Sequence, residues 1–248
     1  MLTGLVSLDG QPWLAHHMVR DTVVFPGTGF VELALQAGQH FGHSVVEELT
    51  LETPLVVPDQ GGVQVQVAVS AADERGRRPV TVHSCRAGEW VLHASGTLGA
   101  TGALDVTGAL DVTGALDVTE PRPAEVARPL DVWPPEGARS LDVSGMYEAM
   151  AERGYGYGPA FQGLRAAWTR DDEIYAEVAL EPEAQDVAAR CGVHPALLDA
   201  ALHGVGLGRF LTDLGQAYLP FSWSGVALRA VGASAIRVVL SPAGADAV

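Results

Sequence analysis

TGFVELALQAGQH, residues 28–40, is the segment that decides the fold. Thr28 is placed to cap a helix, Glu32 lies near its start where the dipole favours an anion, and Gly38 lies near its end. Phe30, Val31, Leu33, Ala34, Leu35 and Ala37 nearly encircle the axis, so this helix is buried on most sides and needs something wrapped around it. Strands follow. VQVQVAV, residues 63–69, alternates strictly and predicts one packed and one wet face. Residues 79–85 and 89–98 continue the pattern, with Gly76 and Gly88 as turn signals.

The order recurs downstream. Residues 144–153 read as a short helix, followed by the Gly-rich GYGYGPAFQGL (154–164) and strand-like runs at 164–169 and 173–180. A second, largely apolar helix starts after His194-Pro195, because proline suits a first turn where its missing donor is not needed. Further strand signal lies at 219–223 and 235–240. Each half therefore offers one mostly buried helix and several antiparallel-type strands: an α+β chain of two similar halves, each a sheet wrapped round a central helix. Between them TGALDV occurs three times in tandem over residues 101–118, and a Pro-rich stretch follows at 121–135. Three hexapeptides cannot supply the stacked core of a β-helix, so they read as a slipped duplication in an exposed linker. The expected division is a first half at 1–100, a linker at 101–142 and a second half at 143–248, with ends that read as trimmed and a second half short of strand.

Composition narrows the function classes. A net charge of −15, with all 15 basic residues arginine, argues against nucleic acid. An acidic partner would have to dock at a local Arg patch. No apolar run approaches the roughly 18–20 residues of a membrane span, and no basic, apolar leader opens the chain, so a cytoplasmic location is the default. Cys85 and Cys191 lack CxxC spacing and read as two buried free thiols. Histidines 40, 43, 83 and 93 have no metal-ligand spacing, and no metal site is expected.

Two segments concentrate chemistry. In WLAHHMVRDTVVFPGTG (13–29), His17 lies on a strand-like stretch, and Pro26-Gly27 then turns the chain into the buried helix. The first backbone N–H groups of that helix have no internal acceptor and would polarise a thioester carbonyl. Gly27 and Gly29 would let a ligand approach the backbone closely. His16 is expected to point the other way along the same strand. In HPALLDAALHGVG (194–206), Asp199 falls in the first turn or so of the second helix and His203 one turn on, on the same face. Apolar neighbours Leu197, Leu198, Ala200 and Leu202 favour the protonated acid, the form that a poor leaving group such as hydroxide requires. Alone, neither residue decides: a histidine is more often structural, and Asp199 could be a charge near a helix start.

Taken together, these segments resemble dehydratase domains of modular polyketide synthases. His17 with FPGTGFVELAL resembles the family's HxxxGxxxxP signature, GYGYGPAFQGL its YGPxF segment, HPALLDAALH the segment holding the acid, and LPFSWSGV its late LPF element. WVLHASGTL is similar to the end of the family's first half. The four main elements occur in family order over residues 13–226. The resemblance implies a double hot-dog fold with the site in a tunnel between halves, His17 as base, Asp199 as acid, and His203 orienting that acid. Tyr157, Gly158 and Pro159 would form the wall facing the substrate, and Pro26 and Gly27 the helix start holding the thioester carbonyl. It also implies that no cofactor is needed, and that the substrate arrives on the phosphopantetheine arm of an acyl carrier protein. Neighbouring synthase domains and a homodimer are implied as well. Two positions depart from the pattern: the signature glycine is Asp21, and the residue before the base, often Asp, is His16.

Rival readings on the same scaffold are a domain that closes an oxygen heterocycle by adding an internal hydroxyl, a double-bond-shifting form, a non-catalytic binding or dimerising domain, and a hot-dog thioesterase. The double-bond-shifting form would be expected to lose the acid, and a thioesterase to lack this His–Asp pairing.

Overall fold

The computed structural model describes residues 1–100, 109–111, 132–208, 220–243 and 248. Most of the TGALDV repeat and the Pro-rich stretch as far as residue 131 fall outside that set, and with them most of the expected linker. The N-terminal elements are strands β1 (Leu2–Val6), β2 (His17–Val19) and β3 (Thr22–Val23), helix α1 (Gly27–His40), and strands β4 (Val45–Leu51), β5 (Val63–Val69), β6 (Arg78–Arg86) and β7 (Glu89–Gly99). A short strand β8 (Ala109–Asp111) precedes β9 (Arg139–Leu141), helix α2 (Met146–Glu152) and β10 (Tyr155–Tyr157). Strands β11 (Leu164–Arg170) and β12 (Glu173–Ala179) lead to helices α3 (Gln185–Ala188) and α4 (Pro195–Leu202), then β13 (Ser222–Ala227) and β14 (Ala235–Leu240).

All strand pairs within the sheets are antiparallel. One sheet runs β1-β5-β6-β7-β4-β13-β8, a second β14-β12-β11-β9, and a three-stranded ribbon β10-β2-β3 joins segments of the two halves. The alternation of β5 is realised, Val63, Val65 and Val67 being buried while Gln64 is exposed. These valines, with Val46, Leu49, Val80, Val82 and Leu98, enclose the apolar side chains of α1. Helix α4 does the same in the smaller half, where Ala196, Leu197 and Ala200 pack with Phe161, Leu164, Ala176 and Val178. Trp13 touches both clusters, so the two cores meet at its ring. This is the double hot-dog arrangement of two helices, each held in its own antiparallel sheet.

Four expectations need correcting. Thr28 does not cap α1; Pro26 is the cap residue, and the Thr28 hydroxyl instead donates to Pro195 C=O at 2.9 Å in the other half. The strand expected at 219–223 begins at Ser222, because Pro220 has no N–H to give a ladder. That strand, although it follows α4, pairs with β4 of the first sheet, with Trp223 opposite Leu49, so the segment 143–248 is not self-contained. Finally, Cys85 and Cys191 are free but only half-buried.

Candidate active site

The ribbon places the first candidate side chain. A 3-10 turn, Pro12–His16, ends at His16, and β2 begins with His17. His16 is thus not on the strand; its Nδ1 accepts from Ala160 N–H at 3.2 Å and its C=O from Gly158 N–H at 2.9 Å, tying the halves together. Arg20 (φ 48°) and Asp21 (φ 61°) form the two-residue turn between β2 and β3. Asp21 therefore takes the left-handed conformation that a glycine would take there, which Asp tolerates better than most residues. The hairpin brings Val24 C=O to 2.7 Å from His17 Nδ1. A carbonyl only accepts, so Nδ1 carries the hydrogen and Nε2 keeps its lone pair. The imidazole is 2% exposed, with the rings of Phe161 and Tyr157 centred 4.9 and 5.6 Å from its own.

The second side chain comes from α4. Pro195 opens that helix, and His194 caps it through Nδ1, which accepts from Ala196 N–H at 3.2 Å. Asp199 is the fifth residue, in the second turn and not the first. It is 6% exposed. One oxygen, Oδ1, lies 3.9 Å from His17 Nε2; the other, Oδ2, lies 3.2 Å from His203 Nε2. His203, 4% exposed, continues the chain into a 3-10 turn, and its Nδ1 is 3.3 Å from the hydroxyl of Tyr147. The imidazole of one half and the carboxyl of the other therefore face each other at the junction, with no hydrogen bond between them to use up either group.

Tyr157 sits directly opposite His17 in the β10–β2 register, and its ring is 4.5 Å from that of His203. Burial, with Asp199 nearby, holds the Tyr157 phenol well above its ordinary range. Gly158 is required by packing, since a Cβ there would come within 2.8 Å of the His16 ring. Pro159 is exposed and starts the 3-10 turn that sets Phe161 against His17. Pro26 and Gly27 form the start of α1 two and three residues beyond Val24, and the Gly27 and Thr28 amides have no main-chain acceptor among the described residues. Gly29, expected to admit a ligand, serves packing instead: a Cβ would lie 2.6 Å from the Phe25 ring.

Among the described residues no three His, Cys, Asp or Glu side chains converge as metal ligands. His43 bonds Phe41 and Gly76 carbonyls, and His93 bonds Ser84 and the Thr53 carbonyl. Sequence reasoning missed three contributors: the Val24 carbonyl, the Tyr147 hydroxyl and Glu32. Glu32 was read as a charge near a helix start, yet its carboxylate is buried and accepts from Gly192 N–H at 2.8 Å and Val193 N–H at 2.9 Å, fastening the lead-in to α4. Tyr147 lies 56 residues from His203 and no spacing links them.

Residues 1–85 match the family described as polyketide synthase dehydratase domain, and residues 125–243 the one described as polyketide synthase dehydratase N-terminal domain. The whole chain is 53% identical to part of the polyketide synthase GfsA of Streptomyces halstedii and 46% identical to part of the pikromycin synthase component PikAII of Streptomyces venezuelae. It spans only 3% and 6% of their lengths, so those relatives carry much besides this segment. Among solved structures, a dehydratase of the borrelidin and fluvirucin synthases is 50% identical with a TM-score of 0.83, covering 97% of this chain and 79% of that one. The erythromycin dehydratase is 40% identical at 0.80 (98% and 81%), and the bifunctional dehydratase-cyclase of ambruticin biosynthesis 41% identical at 0.78 (95% and 76%). This chain belongs to the polyketide synthase dehydratase domain family.

Proposed function

We propose that His17 and Asp199 together remove water from a β-hydroxyacyl thioester, delivered on the phosphopantetheine arm of an acyl carrier protein, to leave an α,β-unsaturated thioester. The observation that carries this reading is the 3.9 Å approach of His17 Nε2 to Asp199 Oδ1 at a buried junction of two half-chains. The Val24 carbonyl leaves Nε2 as the basic nitrogen, and Nε2 takes the α-proton. The released electron pair forms the Cα–Cβ double bond as the Cβ–O bond breaks, and Asp199 gives its proton to the departing oxygen, which leaves as water. Charge that builds on the thioester oxygen is met by the Gly27 and Thr28 amides at the start of α1, which have no main-chain acceptor among the described residues. The rings of Tyr157 and Phe161 cover two sides of the imidazole and keep bulk water from it. In this reading Gly158 and Pro159 hold that wall in place, and the reaction draws on no metal or cofactor. Neighbouring synthase domains supply the chain, and the domain works as a homodimer.

The test follows product mass with a β-hydroxyacyl carrier protein or its pantetheine thioester. Loss of one water, reduced by about 10²-fold or more in each of His17→Ala and Asp199→Asn, is the expected result. Binding without mass change would leave only a scaffold, and release of free acid would mean a thioesterase. The likeness to a dehydratase-cyclase gives one further arm: a substrate with a distal hydroxyl yields an open-chain alkene here, whereas a product lacking the alkene signal would show ring closure.

A further inference from the structure

The acid of this site is not positioned by His203 alone. Tyr147 in α2 stands behind that imidazole, with its hydroxyl between two partners: it accepts from Leu164 N–H at 3.0 Å and lies 3.3 Å from His203 Nδ1. The amide can only donate, and His203 is the one acceptor that the phenol has among the described residues, so its hydrogen points to Nδ1. Burial pushes the Tyr147 phenol up to about 12, which keeps that hydrogen in place at neutral pH. An imidazole that accepts at Nδ1 carries its hydrogen on Nε2, and Nε2 faces Asp199 Oδ2 at 3.2 Å.

We propose that Tyr147 is a positioning residue that fixes the tautomer of His203 and thereby decides which oxygen of Asp199 holds the acidic proton. With Nε2–H donating to Oδ2, that oxygen is occupied as an acceptor, and the proton of the neutral acid resides on Oδ1, the oxygen facing His17. With the opposite tautomer, Nε2 would present a lone pair to Oδ2. The acid would then turn its proton toward His203 and away from the substrate. Ring contacts keep His203 from escaping the choice by rotation, the Tyr157 ring centred at 4.5 Å and the Tyr147 ring edge-on at 5.5 Å. The inference rests on Asp199 being the acid, as proposed above, and adds a residue outside the family signature quoted for this chain.

Histidine ¹⁵N correlation spectra of the whole chain at neutral pH read the tautomer directly. The Nε2–H form of His203 is expected in the wild type, with a shift toward Nδ1–H in Tyr147→Phe. That variant should lose about tenfold in kcat, the value of one hydrogen bond to a reacting group, with KM changed less than about twofold. A His203→Gln background has no tautomer to set, and there Tyr147→Phe should cost less than about twofold. Nδ1–H in the wild type, an unmoved tautomer in Tyr147→Phe, or the full tenfold loss in the His203→Gln background would each overturn the proposal. Asp199→Asn serves as the control: if it still dehydrates at the wild-type rate, the assignment of the acid fails, whereas an inactive Asp199→Asn beside a null Tyr147 result removes Tyr147 alone.

Discussion

His17 and Asp199 meet at one point but are held there differently. The one hydrogen bond that orients the His17 ring comes from its own neighbourhood, the β2–β3 turn returning Val24 C=O to Nδ1 seven residues away, while Tyr157 and Phe161 of the other half pack on that ring. The support of Asp199 is drawn from His203 one turn on and from three distant places, namely Glu32 and Thr28 on α1, Tyr147 on α2 and Leu164 at the start of β11. The ring of His17, the proposed base, is thus hydrogen-bonded by local backbone, and Asp199, the proposed acid, is held by tertiary contacts, several of them across the halves. Substitutions far from the chemistry should therefore damage the acid side more than the base side.

Glu32→Ala breaks that comparison hardest. It leaves the Gly192 and Val193 amides without their carboxylate acceptor, and each buried unsatisfied group costs about 1–3 kcal/mol. Thermal unfolding should show a loss of about 3 kcal/mol, or about 6–12 °C in Tm; a change under about 1 kcal/mol would mean that the α1 contact is dispensable. Gly158→Ala tests the base side. Its Cβ must displace the His16 ring or the ribbon beside His17, and kcat should fall by about 10²-fold with a smaller effect on Tm. An unimpaired kcat would show that the ribbon tolerates the shift.

His194 gives a pH signature for the acid side. It is fully buried, its Nδ1 accepts from Ala196 N–H, Nε2 has no polar partner among the described residues, and the Trp13 ring lies 4.9 Å away. Burial pulls its pKa down from 6.5 to about 4. The unfolded chain therefore binds the proton more readily, so this stabilisation is complete above about pH 6.5 and is lost as pH falls toward 4. Between pH 7 and 5 the wild type should lose about 2 kcal/mol more than His194→Asn, whose amide oxygen can still cap Ala196. Equal slopes in the two proteins would contradict this. Smallest of the set, Thr28→Val removes one hydrogen bond to Pro195 and should cost about 1 kcal/mol in denaturant unfolding, with no loss of α4 helicity.

The same contrast decides what could be read from the sequence. The period of residues 28–40 and the alternation of residues 63–69 are local signals, and both elements formed as read. Asp199 lies on α4 and His203 follows its last residue four positions on, so their contact was legible too. Thr28 and Glu32 were read as a cap and a dipole charge because those are the local uses of such residues; their partners lie 167 and 160–161 residues away, and no periodicity carries that information. Strand β13 was displaced for a related reason. Its place in the first sheet is set by pairing with β4, and its start by Pro220.

The proposed dehydration needs one imidazole and one carboxyl acting on the same molecule in the same step. Single-turnover dehydration rates of His17→Ala, Asp199→Asn and the double variant measure this directly. Groups that act as a unit give losses that do not multiply, so the double variant should be no more than about threefold slower than the worse single. A double variant whose loss equals the product of the two singles would contradict the claim.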